Sequence, residues 1–302
     1  MPNRSISPFE TFLMLTLIVF WGSSFVVVKI VLGEGLTPIA IATFRFLIAG
    51  GLFLAALFFN KNRNHHYSLT VERNDLPRLV FLALTGITFF FAAQYTGIEL
   101  AGPSVAVIFV CLLAPILITV LSARIFKERL RTKQILGIGL GATGTFIVIV
   151  GGSLTLQLNR DFIFGSLILL FTPILWAAYS LMGKKTIEKY DPFLIVAYVN
   201  MLGGLLLIPL FLAENSAGQV LAMGIGSWMA ILYLSLTCSL LGYYIWFYVL
   251  KKAGPSITSS FLFAEPLITG LLAVTLIGEQ ITPSLIAGGL IIFLGVYLIT
   301  RN

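Results

Sequence analysis

The sequence predicts an all-α polytopic membrane protein with ten transmembrane helices, arranged as two inverted five-helix repeats around a central cavity. Three observations predict this fold class. Hydrophobic residues make up 58% of the 302 residues and charged residues only 10%, whereas soluble domains carry about 25% charged residues. Ten apolar windows are long enough to cross a bilayer. One unusual segment, with a proline near its middle, occurs twice in the chain.

The apolar windows follow one another with short connections. The connection from Gly33 to Thr37 is too short to cross the bilayer, so the helices that it joins must be antiparallel. Pro38 and Pro192 are placed as the first residues of two helices, where proline is well tolerated. The windows predict helices at 9–32, 38–59, 77–97, 103–125, 133–151, 162–182, 192–212, 226–248, 255–277 and 283–300.

The lysines and arginines of the connections predict the orientation. In a ten-helix arrangement, sixteen of them fall on the side that holds both termini, and only Arg160 falls on the other side. Because basic loops stay in the cytoplasm, the N- and C-termini are predicted to be cytoplasmic, in a plasma or inner membrane. The formal charge of +7 is therefore a topology signal beside anionic lipid, and it does not indicate nucleic-acid binding.

The repeated segment spans residues 101–128 and 253–279. Both copies open with Ala-Gly-Pro-Ser, and both place a glutamate thirteen residues after a central proline, Pro115 or Pro266. A proline inside a helix removes a hydrogen bond and bends the helix, so we expect both prolines to act as kinks or hinges. The copies differ just before the proline, where the first has Ala114 and the second has Glu265.

Other segments repeat as well. The segments FWGSSFVVVK (20–29) and LWAAYSLMGK (175–184) each place a tryptophan eight residues before a lysine. We therefore interpret 9–151 as a first five-helix repeat and 162–300 as a second. With an odd number of helices in each repeat, the second must enter the membrane from the opposite side. Inverted repeats of this kind are typical of secondary transporters, with a substrate site between the repeats and an alternating-access mechanism.

Several motifs in order along the chain carry a family resemblance. They are WGSSF (21–25), TFRFLIAGGLFL (43–54), QYTGIELAGPSVA (94–106) and WFYVLKKAGPSITSSFLFAEPLITGLLAVTLIGE (246–279). The chain resembles the EamA-type branch of the drug/metabolite transporter superfamily over almost its whole length. The resemblance implies that each repeat is an EamA-type repeat. It also implies ten helices, a central cavity, and export of amino acids, related metabolites or toxic compounds.

Glu265 is the first candidate site residue, because a charge at the bilayer centre is costly and therefore usually functional. Burial disfavours the charged form of a carboxylate, so Glu265 is a candidate for proton exchange or for substrate binding. The alternative is a structural role, in which the carboxylate bonds to backbone groups that Pro266 leaves free. The residues alone leave both interpretations open.

Arg45 is the second candidate, since it lies about two turns into its helix. A guanidinium at this depth can bind a substrate carboxylate or gate the outer mouth of the cavity. It can also form an internal ion pair with Glu265 or Glu99, which is the interpretation that we rank first.

Aromatic and polar residues deep in the helices complete the predicted substrate site. Such a mixture suits an amphipathic small molecule. These candidates are Trp21, Ser24, Gln94, Tyr95, Trp176, Tyr179, Asn200 and Tyr244. Two other features receive structural interpretations. Cys111 and Cys238 are interpreted as small buried hydrophobes, and Gly137 and Gly141 as points of close helix packing.

The function class follows from what the sequence contains. The inverted repeat and the buried acid favour a secondary transporter, most simply an exporter of amino acids or related metabolites. Alternatives are an uptake or facilitated-diffusion carrier, or, from another class, a membrane-embedded enzyme or a channel. The chain has no paired catalytic groups, repeated polar filter or Walker A sequence. We expect no enzymatic activity, cofactor or metal. The expected partners are a small-molecule substrate and the bilayer, with protons as a candidate coupling ion. The expected oligomeric state is either a monomer or a homodimer.

Overall fold

The computed structural model describes residues 6–63, 69–127, 130–151, 159–277 and 282–300, and these residues contain helices and no strands. With each interrupted helix counted once, the long helices are α1 (Pro8–Gly33), α2 (Pro38–Arg63), α3 (Arg73–Ala101), α4 (103–125), α5 (Thr132–Gly151), α6 (Arg160–Lys189), α7 (Pro192–Ala213), α8 (Ile225–Ala253), α9 (255–277) and α10 (Pro283–Thr300). A short helix, Ala217–Leu221, lies between α7 and α8.

The prediction of an all-helical membrane protein is confirmed. Within the described residues, nine helices are long and apolar enough to cross a membrane, and all the long helices except α9 contribute one. The tenth predicted crossing falls on the interrupted α9, so the count of ten and the inverted arrangement stay predictions. Both repeated glutamates, Glu128 and Glu279, lie outside the described residues, as do the loop cations Arg4, Arg129 and Arg301.

Local capping fixes where several helices begin. The Ser7 hydroxyl accepts a hydrogen bond from the backbone of Glu10, whose carboxylate accepts one from the backbone of Ser7. Asp191 Oδ1 accepts from the first backbone N–H groups of α7, and Asn159 caps α6 in the same way. These side chains satisfy N–H groups that have no partner inside a helix, so each start is specified by its own sequence.

Glycine makes two turns that are nearly identical. Gly102 joins α3 to α4 with φ +88°, and Gly254 joins α8 to α9 with φ +87°. This backbone conformation is unfavourable for residues with a Cβ, so glycine lets the chain pass from one helix to the next within a single residue. The shared Ala-Gly-Pro-Ser sequence therefore encodes the same turn twice.

Five of the long helices are interrupted, α6 by a turn at residues 170–171 and the other four by a π or 3-10 segment near their middles. Both α3 and α8 contain a π-helical segment, Leu84–Thr88 and Leu234–Leu241. Helix α4 also has a π segment, Ile108–Leu113, whereas α9 has a tighter 3-10 segment, Phe261–Ala264. Each central proline is the second residue of the α-helix that follows, Ala114–Ile125 or Glu265–Ile277. The expected bends thus coincide with breaks in the helical winding, and the hinge role stays a prediction.

Glycines bring pairs of helices into close contact. A Cβ on Gly137 of α5 would lie 2.6 Å from the carbonyl oxygen of Gly295 in α10. A Cβ on Gly50 of α2 would lie 2.7 Å from the Cα of Met201 in α7. Gly141 faces the Phe263 ring, with 2.8 Å between the position of its Cβ and Cδ2 of the ring. The predicted packing role of Gly137 and Gly141 is confirmed.

Candidate functional site

A cavity lies at the centre of the bundle, bounded by α1, α2, α3, α4, α6, α8 and α9. The cavity is small, with a volume of about 30 Å³, which is space for roughly two waters. Its walls are mainly aromatic, with a few polar groups. The lining residues are Trp21, Ser24, Phe25, Arg45, Phe90, Phe91, Gln94, Val110, Trp176, Tyr243, Leu262 and Glu265.

A cluster of aromatic rings forms part of the wall. The ring centroid of Trp21 lies 5.4 Å from that of Trp176 and 5.4 Å from that of Trp246. Tyr243 packs at right angles against Trp176, with 6.0 Å between the centroids. The Trp21 Nε1 donates a hydrogen bond to the Cys238 carbonyl at 2.9 Å. These contacts join α1, α6 and α8, and they fix the indole rings that face the cavity.

Arg45 is buried, with 2% of its surface exposed. Its Nε donates to the Ser239 hydroxyl at 2.6 Å, and its Nη1 donates to the Tyr95 hydroxyl. The guanidinium carbon lies 4.7 Å from the ring centroid of Phe91 and 5.0 Å from that of Phe46. Hydroxyl oxygens and ring faces stabilise a cation without neutralising it. Arg45 therefore presents a net positive charge to the cavity.

Glu265 is also buried, with 2% of its surface exposed. Its Oε2 accepts a hydrogen bond from the Cys111 thiol at 3.2 Å. Its Oε1 has no hydrogen-bond partner among the described residues. A buried carboxylate oxygen without a partner is costly, so the site suits a donor that arrives from outside, either a proton or a cationic group of a substrate.

The expected ion pair of Arg45 is not present. Among the residues that the structure describes, Arg45 forms no ion pair with Glu265 or Glu99, although Arg45 and Glu265 line the same cavity. The guanidinium instead donates hydrogen bonds to the hydroxyls of Ser239 and Tyr95. The guanidinium and the carboxyl group therefore remain available to a ligand that carries both a negative and a positive group.

The structure brings six of the ten predicted binding residues to the cavity: Trp21, Ser24, Arg45, Gln94, Trp176 and Glu265. The other four are placed elsewhere. Tyr95 lies behind Arg45 and accepts its hydrogen bond, and Tyr179 packs between Trp176 and Phe247.

The remaining two do not reach the cavity either. The Asn200 amide donates to the Val196 carbonyl of its own helix at 2.8 Å. Tyr244 packs against Phe193 and Tyr248, on another face of α8. The expectation that Asn200 and Tyr244 line the cavity therefore needs correction. The cause in α8 is helix rotation, because adjacent residues point about 100° apart.

Several residues outside the ten predicted ones contribute to the site, and the polar ones among them include Tyr243, Ser239 and Cys111. For Tyr243 a signal was present, since Ser239, Tyr243 and Trp246 recur at the three-to-four spacing of one helix face. Cys111 is buried, as its interpretation as a small buried hydrophobe predicts, and its thiol also donates a hydrogen bond to Glu265.

Comparisons with known proteins identify the family. The sequence profile of the EamA-like transporter family matches residues 8–150 and again residues 163–301. The chain belongs to the EamA-like transporter family. It is a multi-pass membrane protein of a transporter family, and the resemblance seen in the sequence motifs is confirmed.

Individual relatives agree with this assignment. The chain is 30% identical over 294 residues to an uncharacterized transporter of Archaeoglobus fulgidus, covering 97% of this chain and 98% of that protein. It is 25% identical to a "Probable amino-acid metabolite efflux pump" of Salmonella typhimurium, covering 96% and 94% of the two chains. A protein of solved crystal structure shares the fold with a TM-score of 0.73 at 19% identity, covering 96% of this chain and 95% of that one.

Proposed function

We propose that this protein is a secondary transporter that exports amino acids or closely related small metabolites by alternating access. The observation that carries the proposal is the central cavity, in which a buried guanidinium and a buried carboxylate face the same space without pairing. An amino acid brings a carboxylate for Arg45 and an ammonium group for Glu265. Its binding would compensate both buried charges at once, which neither charge achieves alone.

The aromatic wall supports the same substrate class. Ring faces of Trp21 and Trp176 offer apolar area to a side chain and an attractive surface to an ammonium group. The cavity has space for roughly two waters, so the proposed substrate is small and binds when the bundle opens further. The name of the Salmonella relative concerns amino-acid metabolites, and it supports both this class and the direction of transport.

The pattern of helix contacts supports alternating access. Helix α1 packs on α9, and α6 packs on α4, which is the equivalent pair if the halves are related by a twofold axis. The pairs α2 with α7 and α5 with α10 also contact each other, and such an axis would map each pair onto itself. Two inverted halves have two packings of similar energy, one open to each side of the membrane. Pro115 and Pro266 are the proposed hinges, and 9–151 and 162–300 are the proposed repeats.

The gradient that drives transport is the second part of the proposal. Glu265 is the proposed proton carrier, since a proton and a substrate ammonium group compete for the same free oxygen. In this arrangement the substrate leaves as the proton binds, which couples export to proton entry. In this scheme the direction of the proton gradient sets the direction of net transport.

The test uses the full chain in proteoliposomes with a pH gradient of either sign. The probes are radiolabelled amino acids, each measured beside its decarboxylated amine and its deaminated acid. We expect transport of amino acids to exceed that of both partial analogues and to depend on the gradient. If no amino acid is carried, or if the partial analogues are carried equally well, the proposed substrate class is wrong. Empty liposomes give the background.

A further inference from the structure

The two copies of the repeated segment, in α4 and α9, differ from each other in two ways near their middles. In the first copy Pro115 follows Ala101 by 14 residues, whereas in the second Pro266 follows Ala253 by 13. A π turn closes its hydrogen bond over one residue more than an α turn. The π segment of α4, Ile108–Leu113, lies where the additional residue must be accommodated. The other difference is Glu265, which replaces the alanine of the first copy.

These two differences meet in space. Cys111 belongs to the π segment and is fully buried. Its thiol donates to Oε2 of Glu265 at 3.2 Å, across 154 residues of sequence. With Oε2 held in this way, the remaining oxygen has a defined direction. The Glu265 side chain lines the cavity, and 2% of the residue's surface is exposed. Its Oε1 has no hydrogen-bond partner among the described residues.

We propose that Cys111 is a positioning residue for transport, whose thiol holds one oxygen of Glu265 so that the other is presented to a donor group of the transported compound. The proposal rests on the cavity of the proposed function and deepens it. No bond is formed or broken, because the thiol acts only as a hydrogen-bond donor. The π turn matters because it sets the rotation of α4 at Cys111.

Infrared spectroscopy of the purified protein tests the contact without any substrate. The S–H stretch absorbs where other protein groups do not, and a stronger acceptor moves it to lower frequency. Cys238→Ala removes the other thiol and leaves the Cys111 band alone. In that background we expect Glu265→Gln to move the band to higher frequency, since an amide oxygen accepts more weakly than a carboxylate. A band that does not move overturns the proposal.

A double-mutant cycle tests the consequence for transport of the radiolabelled amino acids. We expect Cys111→Ala to raise KM roughly three- to tenfold with a smaller change in kcat, which corresponds to one lost hydrogen bond of ordinary strength, since a thiol is a weak donor. Cys111→Ser keeps a donor and should recover most of the loss. In a Glu265→Gln background, Cys111→Ala should have no further effect.

A merely structural role for Cys111 predicts another pattern. Cys111→Ala would then lower the amount of folded protein in both backgrounds, KM would stay constant, and serine would not rescue it, so the proposal would be overturned. Failure of the proposed function is distinguishable from this outcome. If no amino acid is carried at all, the infrared band still decides whether the thiol positions Glu265.

Discussion

Helices α4 and α9 start alike and diverge halfway along. Each follows a glycine with nearly the same positive φ, and each has a central proline as the second residue of its last α-helical segment. Between these points α4 winds more widely, as a π turn, and α9 winds more tightly, as a 3-10 turn. The shared residues form the same turn and the same proline position in both helices. Two of the residues that differ, Cys111 and Glu265, contact each other beside the cavity.

The helices that pack on α4 and α9 show the same contrast. Gly22 of α1 lies against α9, and a Cβ there would be 2.9 Å from Cβ of Ile268 and 3.1 Å from the carbonyl oxygen of Glu265. The corresponding residue of α6 is Ala177, which is buried although it carries a Cβ. The Thr269 hydroxyl adds a hydrogen bond to the Gly22 carbonyl at 2.9 Å. The contact between α1 and α9 therefore leaves no room for a Cβ at Gly22, whereas the corresponding residue of α6 carries one.

The largest expected effect comes from removing the acid. Glu265→Gln keeps the shape of the side chain and removes its charge, so we expect transport of amino acids to fall about 10- to 100-fold. The matched control is Glu188→Gln, whose side chain is 53% exposed and should transport normally. Equal transport by the Glu265→Gln variant and the control would contradict a role for the acid.

The reverse change sharpens the same comparison. Ala114→Glu places an acid at the corresponding position of α4, where Ala114 is fully buried. With no partner prepared for it, the second carboxylate should destabilise the fold by about 3 kcal/mol or more. The measurement is the melting temperature in detergent. Normal stability would show that the two central positions are equivalent.

Removing the additional residue of α4 has the next largest expected effect. Deletion of Leu113, a partly exposed residue after Cys111, should turn the π segment into α-helix and rotate Cys111 by about 100° relative to the following helix. We expect transport to fall roughly tenfold while the helix content by circular dichroism is unchanged. Leu113→Ala is the control for loss of the side chain alone. Wild-type transport after the deletion would show that the π turn does not matter.

The smallest effect concerns the contact at Gly22. Gly22→Ala forces α1 away from α9 and should cost about 1–3 kcal/mol of stability, together with a several-fold loss of transport. Ala177→Gly, the reverse change in α6, should cost about 1 kcal/mol through helix propensity alone. Gly51→Ala is a neutral control, because its Cβ would meet no atom within 4 Å. Melting temperatures and initial rates check the ranking, and equal losses at both positions would contradict it.

Much of this architecture follows from local properties of the sequence. Hydropathy and length predict the nine helices of the described residues that are long and apolar enough to cross a membrane. The side chains of Ser7, Asp191 and Asn159 specify helix starts through local hydrogen bonds. Glu265 stands out because a charge in an apolar segment is costly wherever it points. These signals need no knowledge of neighbouring helices.

The partners of the buried polar groups depend on tertiary structure. The expected pair of Arg45 and Glu265 is replaced by Arg45 with Ser239 and Tyr95, and Glu265 with Cys111. Each contact joins residues far apart in sequence, so it depends on the rotation and offset of two helices. Adjacent residues of a helix point about 100° apart, so Tyr243 lines the cavity and its neighbour Tyr244 does not. By itself the sequence determined the helices, the repeat and the acid, because these follow from local chemistry. Helix packing decided what the acid contacts.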